Sequence, residues 1–160
     1  MSLPARSERG GGSRMIMDRL EVTDLLYRYA ELIDAGDFDG VGQLLDRATF
    51  AGTRGPTTSG AHDIAALFAA TTRRFPEAGN RPRTRHLVLN AIVDVDGAAA
   101  VARSTFCVVQ QTDTVALQPI VVGRYADVFA RDQHGWHFTA RQVDVEMVGD
   151  ISEHLMFDYK

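Results

Sequence analysis

Cysteine is almost missing from the 160-residue chain: Cys107 stands alone, which excludes an internal disulfide framework and any cysteine-based metal cluster. A surplus of positive charge is missing too. Seventeen basic residues face 21 acidic ones for a net charge of −4, with no long basic run, so neither nucleic acid nor a membrane surface is an expected partner. No apolar run approaches the ~20 residues that span a bilayer. The N-terminus lacks the unbroken apolar core of a signal peptide, which makes a cytoplasmic location the expectation. GTRGPTTSG carries glycines without the phosphate-loop lysine, and no dinucleotide fingerprint occurs. No histidine and carboxylate set has metal-ligand spacing, so neither metal nor cofactor is expected.

What remains is an ordinary globular composition, 45% apolar and 24% charged, in a length that suits one domain. Residues 1–14, MSLPARSERGGGSR, read as a disordered leader before a single domain over 15–150, with 151–160 as a C-terminal tail. From about Met17 to Ala35, the residues Val22, Leu25, Leu26, Tyr29, Leu32 and Ile33 form one helical stripe. Gly36 is a plausible stop, and Asp37 can cap a short second helix, FDGVGQLLD. ATFAGT suggests a strand, and a third helix is predicted from Ala61 to Phe75. The period then changes to two, giving strands over 84–96, 100–111, 115–131 and 135–148. Pro119 belongs at an edge or a bulge, because proline cannot donate to a ladder. Helices followed by long antiparallel strands describe an α+β domain.

The strand TRHLVLNAIVDVD is unusual in being apolar on both faces. Alternation puts Leu87, Leu89, Ala91, Val93 and Val95 on one side and His86, Val88, Asn90 and Ile92 on the other. A curved sheet folded over the helices accounts for both faces. Its convex side, with Leu87, Leu89, Val93 and Val95, would be covered by a second subunit. Its concave side would hold a cavity with His86 and Asn90 as polar fixtures. A homodimer or higher homo-oligomer is therefore expected, with a hydrophobic small molecule as substrate.

Three segments, LLYRYAELIDAGDFDGVGQLL, TRHLVLN and VGRYADVFARDQHGWHF, resemble the SnoaL-like branch of the NTF2-like superfamily. That branch includes polyketide cyclases, scytalone dehydratase and bile acid 7α-dehydratase. The resemblance implies a cone-shaped fold, N-terminal helices in a strongly curved, mainly antiparallel sheet. It also implies cofactor-independent acid–base chemistry, of dehydratase, isomerase or cyclase type, on a hydrophobic carbonyl compound. Its catalytic tyrosine, aspartate and histidine fall on Tyr29, Asp34 and His86, and Tyr125 falls on a polar, pocket-facing strand position. Phe50, Asn90, Ser104, Phe106 and Tyr125 are the substrate-binding candidates.

Asp34 is also unusual on physical grounds. A carboxylate in the last helical turn opposes unpaired carbonyls at a cost of ~0.3–1 kcal/mol, and a nearby histidine would make it easier to accept. Helical geometry sets Asp34 on the flank of the stripe and favours Tyr27, whereas the motif favours Tyr29. The family's second strong acid or base has no counterpart in ARSTFCVVQQ, which weakens dehydration relative to isomerisation or cyclisation. Two further readings share the fold: a non-catalytic ligand-binding module, and a subunit that docks a partner through its convex sheet.

Overall fold

A computed structural model describes residues 9–158. Three helices, α1 (Arg9–Ala35), α2 (Phe38–Leu44) and α3 (Ala61–Thr71), pack against a six-stranded mixed sheet. Its strands are β1 (Thr49–Ala51), β2 (Thr58–Ser59), β3 (Thr84–Asp96), β4 (Ala99–Gln110), β5 (Gln118–Asp132) and β6 (Gly135–Val148), in the order β2-β1-β6-β5-β4-β3. The β1–β6 pairing is parallel and the others are antiparallel. The α+β class follows. No helix among the described residues is long and apolar enough to cross a membrane.

The helical stripe forms as its spacing predicts. Val22, Leu26, Tyr29 and Ile33 enter one apolar core with Val93, Phe106, Val108, Tyr125, Phe129 and Phe138 of the sheet. Gly42 lets α2 approach α3, since a Cβ there would collide with the Ala61 carbonyl. Asp37 caps α2 through Gly40 N–H at 2.8 Å. Pro119 lies beside a bulge, where Val108 pairs with Val121 and Val109 with Pro119, leaving Ile120 as the extra residue.

The expected leader is corrected over residues 9–14, which are helical, while residues 1–8 lie outside the described part. The glycines disfavour a helix, but α1 is fixed one turn later. Arg14 pairs with Asp18 at 2.8 Å, and the buried Asp18 carboxylate also accepts from Arg131 at 2.6 Å and Trp136 Nε1 at 2.9 Å. Burial alone would raise this carboxyl, but those hydrogen bonds and the charges of Arg131 and Arg14 hold it below the ordinary aspartate value.

The two-faced strand also receives a different answer. Leu89 pairs with Thr105 and Ile92 with Arg103, so β3 carries one extra residue at Asn90, whose φ is +55°. The bulge reverses the alternation. Before it, Thr84, His86 and Val88 point inward; after it, Ala91, Val93 and Val95 do. Val93 and Val95 therefore leave the predicted convex face for the interior, and Ile92 joins Leu87 and Leu89 outside at 42–43% exposure.

Candidate functional site

Gly36, at φ +72°, ends α1 by turning its N–H back to the Ile33 carbonyl, and this places Asp34 beside the first residues of β3. Because β3 is an edge strand, some of its backbone donors have no sheet partner. Asp34 takes one of them: His86 N–H donates to Oδ2 at 2.9 Å. Oδ1 accepts from Thr84 Oγ1 at 2.9 Å and lies 2.7 Å from His86 Nδ1. The two side chains are 12% and 9% exposed, so the pair is mostly shielded but not sealed. These three contacts offset the repulsion between Asp34 and the helix C-terminus. A carboxylate can only accept here, so the proton of neutral His86 sits on Nδ1 and Nε2 is left as the free base.

A second imidazole stands nearby. His154, from the tail, lies with its ring centroid 6.5 Å from that of His86. The tail folds back onto the body: Arg73 N–H donates to the His154 carbonyl at 2.8 Å, and Met156 N–H to that of Thr71 at 3.0 Å. Gln110 Nε2 holds the Glu153 carbonyl at 3.1 Å. His154 is buried and its Nδ1 has no partner. Desolvation, with a smaller push from His86 against the pull of Asp34, lowers its pKa to about 4 and keeps it neutral.

Deeper in the core stand the aromatic candidates. Tyr29 is 3% exposed and Tyr27 48%, so the tyrosine of the apolar stripe and of the motif is the inward one, while Tyr27, nearer Asp34 on the helical wheel, faces out. Tyr29 meets Tyr125 edge-on at 5.9 Å, and Phe106 stacks on Tyr125 at 4.4 Å. Phe50 packs against Phe68 at 5.3 Å. Ser104 is buried with an unpartnered hydroxyl. Desolvation raises the phenol of Tyr29 to about 12 and that of Tyr125 well above its ordinary value, so both remain protonated donors. Asp34 is the smallest of the named contributors to both shifts, behind burial and the charges of Arg141 and Asp127.

Asn90 is not part of this group. It is the exposed bulge residue, because the bulge uses its tolerance of positive φ rather than its amide. Sequence reasoning also passed over a fully buried ion pair. Arg141 Nε lies 3.2 Å from Asp127 Oδ1, and Nη2 donates to Oδ2 at 3.3 Å. The guanidinium is held between the rings of Tyr29 at 4.0 Å and Tyr125 at 3.8 Å. Desolvation, opposed by Arg141, raises the Asp127 carboxyl to about 6. The position of Asp127 was readable, since it shares an inward parity with Val121, Tyr125 and Phe129.

Two open clefts lie outside this cluster. One, of about 510 Å³, runs between α2 and α3 past Asp39, His62 and Arg74. The other, of about 370 Å³, lies at the start of β3, where Thr84 forms part of its wall.

The SnoaL-like domain profile matches residues 14–142. No curated protein matches the chain significantly. Among solved structures, an NTF2-like protein with a cystatin-like fold from Novosphingobium aromaticivorans shares 22% identity at TM-score 0.76, over 93% of this chain and 95% of its own. A candidate scytalone dehydratase from the same organism shares 16% identity at TM-score 0.69, covering 87% of this chain and 91% of its own. ActVI-ORFA from Streptomyces coelicolor shares 17% at TM-score 0.64, covering 80% and 96%. At these identities the likeness establishes the fold.

Proposed function

We propose that this chain, which belongs to the SnoaL-like domain family, is a cofactor-independent acid–base enzyme for a hydrophobic, carbonyl-bearing small molecule. The observation that carries the proposal is the 2.7 Å contact between His86 Nδ1 and Asp34. In the mechanism we favour, His86 Nε2 removes a proton adjacent to the carbonyl, while Asp34 orients the ring and stabilises the imidazolium that forms. Tyr29 or Tyr125 donates a hydrogen bond to the developing enolate oxygen. In a dehydration, the imidazolium then returns the proton to a departing β-hydroxyl, which leaves as water. Isomerisation returns it to another carbon, and cyclisation uses the enolate carbon as nucleophile. Dehydration gains some ground from His154, a second imidazole beside the first.

The test is α-proton exchange in D2O, followed by NMR on a panel of hydrophobic β-hydroxy ketones. Wild type should exchange at least one member of the panel, and His86→Ala should slow that exchange by roughly 10²–10⁴-fold. Exchange that survives His86→Ala at full rate removes the histidine from the mechanism.

A homodimer through the outer sheet is part of the same proposal. Leu87, Leu89, Ile92, Val101 and Val128 stand exposed on β3, β4 and β5. A stable interface of this kind should bury more than ~1,000 Å². Sedimentation at micromolar concentration should give a dimer that Leu89→Lys dissociates; a wild-type monomer contradicts it.

A further inference from the structure

We infer that the cleft at the start of β3 is a binding site for a phosphate-class anion, a phosphate monoester or diphosphate. This goes beyond the proposed acid–base chemistry and does not depend on it. The 370 Å³ cleft is lined by Arg81 and Arg83 just before β3, Arg85 within it and Gln111 just after β4, with Val109 and Leu117 as an apolar wall. Among the described residues no acidic one lines it. Three arginines thus line one concavity in a chain whose net charge is −4.

Several arginines elsewhere on the surface are committed to carboxylates. Arg103 bonds Asp94 at 3.3 Å, Arg124 bonds Glu146 at 2.9 Å and Arg47 bonds Asp132 at 2.8 Å. Of the cleft arginines, Arg83 is engaged at 3.0 Å by Asp113, which is 85% exposed and not part of the lining. Arg85 donates Nη1 to the neutral Thr84 carbonyl at 2.7 Å. Among the described residues no carboxylate comes within ion-pair distance of Arg81 or Arg85. The backbone is shaped for the cluster as well. Asn80 and Arg83 both adopt left-handed conformations, at φ +58° and +59°. An arginine gains nothing intrinsic from that conformation, and such residues persist where the surroundings enforce them. Gln111 N–H holds the Arg83 carbonyl at 3.3 Å.

The chemistry of the site selects the ligand. Guanidinium forks match the oxygens of a tetrahedral phosphate in paired hydrogen bonds, and a dianion satisfies more of three such forks than a single carboxylate does. The apolar wall of Val109 and Leu117 suits the organic part of an ester. Thr84 links this cleft to the His86 pair: its carbonyl accepts from Arg85, while its hydroxyl donates to Asp34. The phosphate can therefore arrive as a free ion or as the anionic end of the molecule that reaches His86.

The test is an NMR titration of the full chain with inorganic diphosphate and with phenyl phosphate, each against sodium chloride at equal ionic strength. Saturable shifts should appear at the amides of residues 81–85 and 109–117 and at the arginine Nε–H signals of the cleft. Arg81→Gln and Arg85→Gln should each weaken binding by roughly tenfold, since hydrogen bonds to charged groups are among the strong ones. Arg103→Gln, whose partner is Asp94, should leave it unchanged. Shifts spread evenly over exposed arginines, reproduced by chloride, or unaltered in both cleft variants overturn the proposal. If phenyl phosphate also moves the His86 ring signals while diphosphate does not, the anion belongs to the substrate. If neither moves them, the cleft is a separate phosphate site.

Discussion

The Asp127–Arg141 and Asp34–His86 pairs both lie on the interior side of this sheet, and their surroundings differ sharply. Asp127 and Arg141 are both 0% exposed at the side chain, with the guanidinium held between two tyrosine rings. Asp34 and His86 sit at the rim, partly open, and join the end of α1 to the free edge of β3. Arg141 holds its charge throughout the accessible pH range and burial raises the Asp127 carboxyl to about 6, so a proton in the deep pair can settle only on a carboxylate sealed from solvent. In the rim pair the basic partner is an imidazole, whose second nitrogen can take up and hand on a proton. Proton transfer needs the second kind, close enough to the outside to meet a substrate.

The widest difference should appear in stability. Arg141→Met leaves Asp127 buried without a partner and should cost ~3–5 kcal/mol by chemical denaturation, while the double variant Asp127→Leu/Arg141→Met should recover much of the loss. Asp34→Asn breaks the rim pair but relieves a helix-end repulsion, and should cost only ~1–2 kcal/mol. A loss at Asp34 as large as that at Arg141 would remove the distinction between the pairs.

The pH dependence of stability gives a smaller and signed effect. His154 has a folded pKa of about 4 against 6.5 in the unfolded chain, so the unfolded state binds more protons between those values. Its contribution is complete above pH 6.5 and is lost as pH falls toward 4, in total on the order of 3 kcal/mol. Asp127 acts in the opposite sense. With its pKa raised to about 6 from 3.8, its contribution is complete below 3.8 and declines as pH rises through 6. His154→Gln removes the first effect and keeps the second. Its stability should therefore fall less than that of wild type between pH 6.5 and 4, or rise. Parallel curves would mean that the imidazole is exposed and the tail is not seated on the body.

How much of this was legible in the sequence depended on whether a local period governed the residue. The α1 stripe follows simple spacing, and the motif correctly joined Asp34 to His86 across 52 positions. Asn90 was misplaced because alternation was carried unbroken through β3, and one bulge inverts every face after it. Arg141 was hidden by a similar irregularity. The pairings Val128–Ala140 and Phe129–Phe138 insert one residue, so Arg141 turns inward although alternation from Trp136 and Phe138 sends it out. Asp127, by contrast, kept its parity and could have been found as the acidic member of an inward run. His154 had no local signal, because its place is set by backbone contacts with Thr71 and Arg73, more than 80 residues earlier in the chain.

The central claim is that Asp34 fixes His86 with its free nitrogen toward the substrate side. Nitrogen-15 NMR of the imidazole in the free protein, at mildly alkaline pH, tests this without any substrate. Wild type should show the Nδ1–H tautomer, with Nε2 unprotonated and a strongly downfield Nδ1 proton, and Asp34→Ala should lose that proton signal. A wild-type His86 in the Nε2–H tautomer, or one indifferent to Asp34→Ala, would contradict the account.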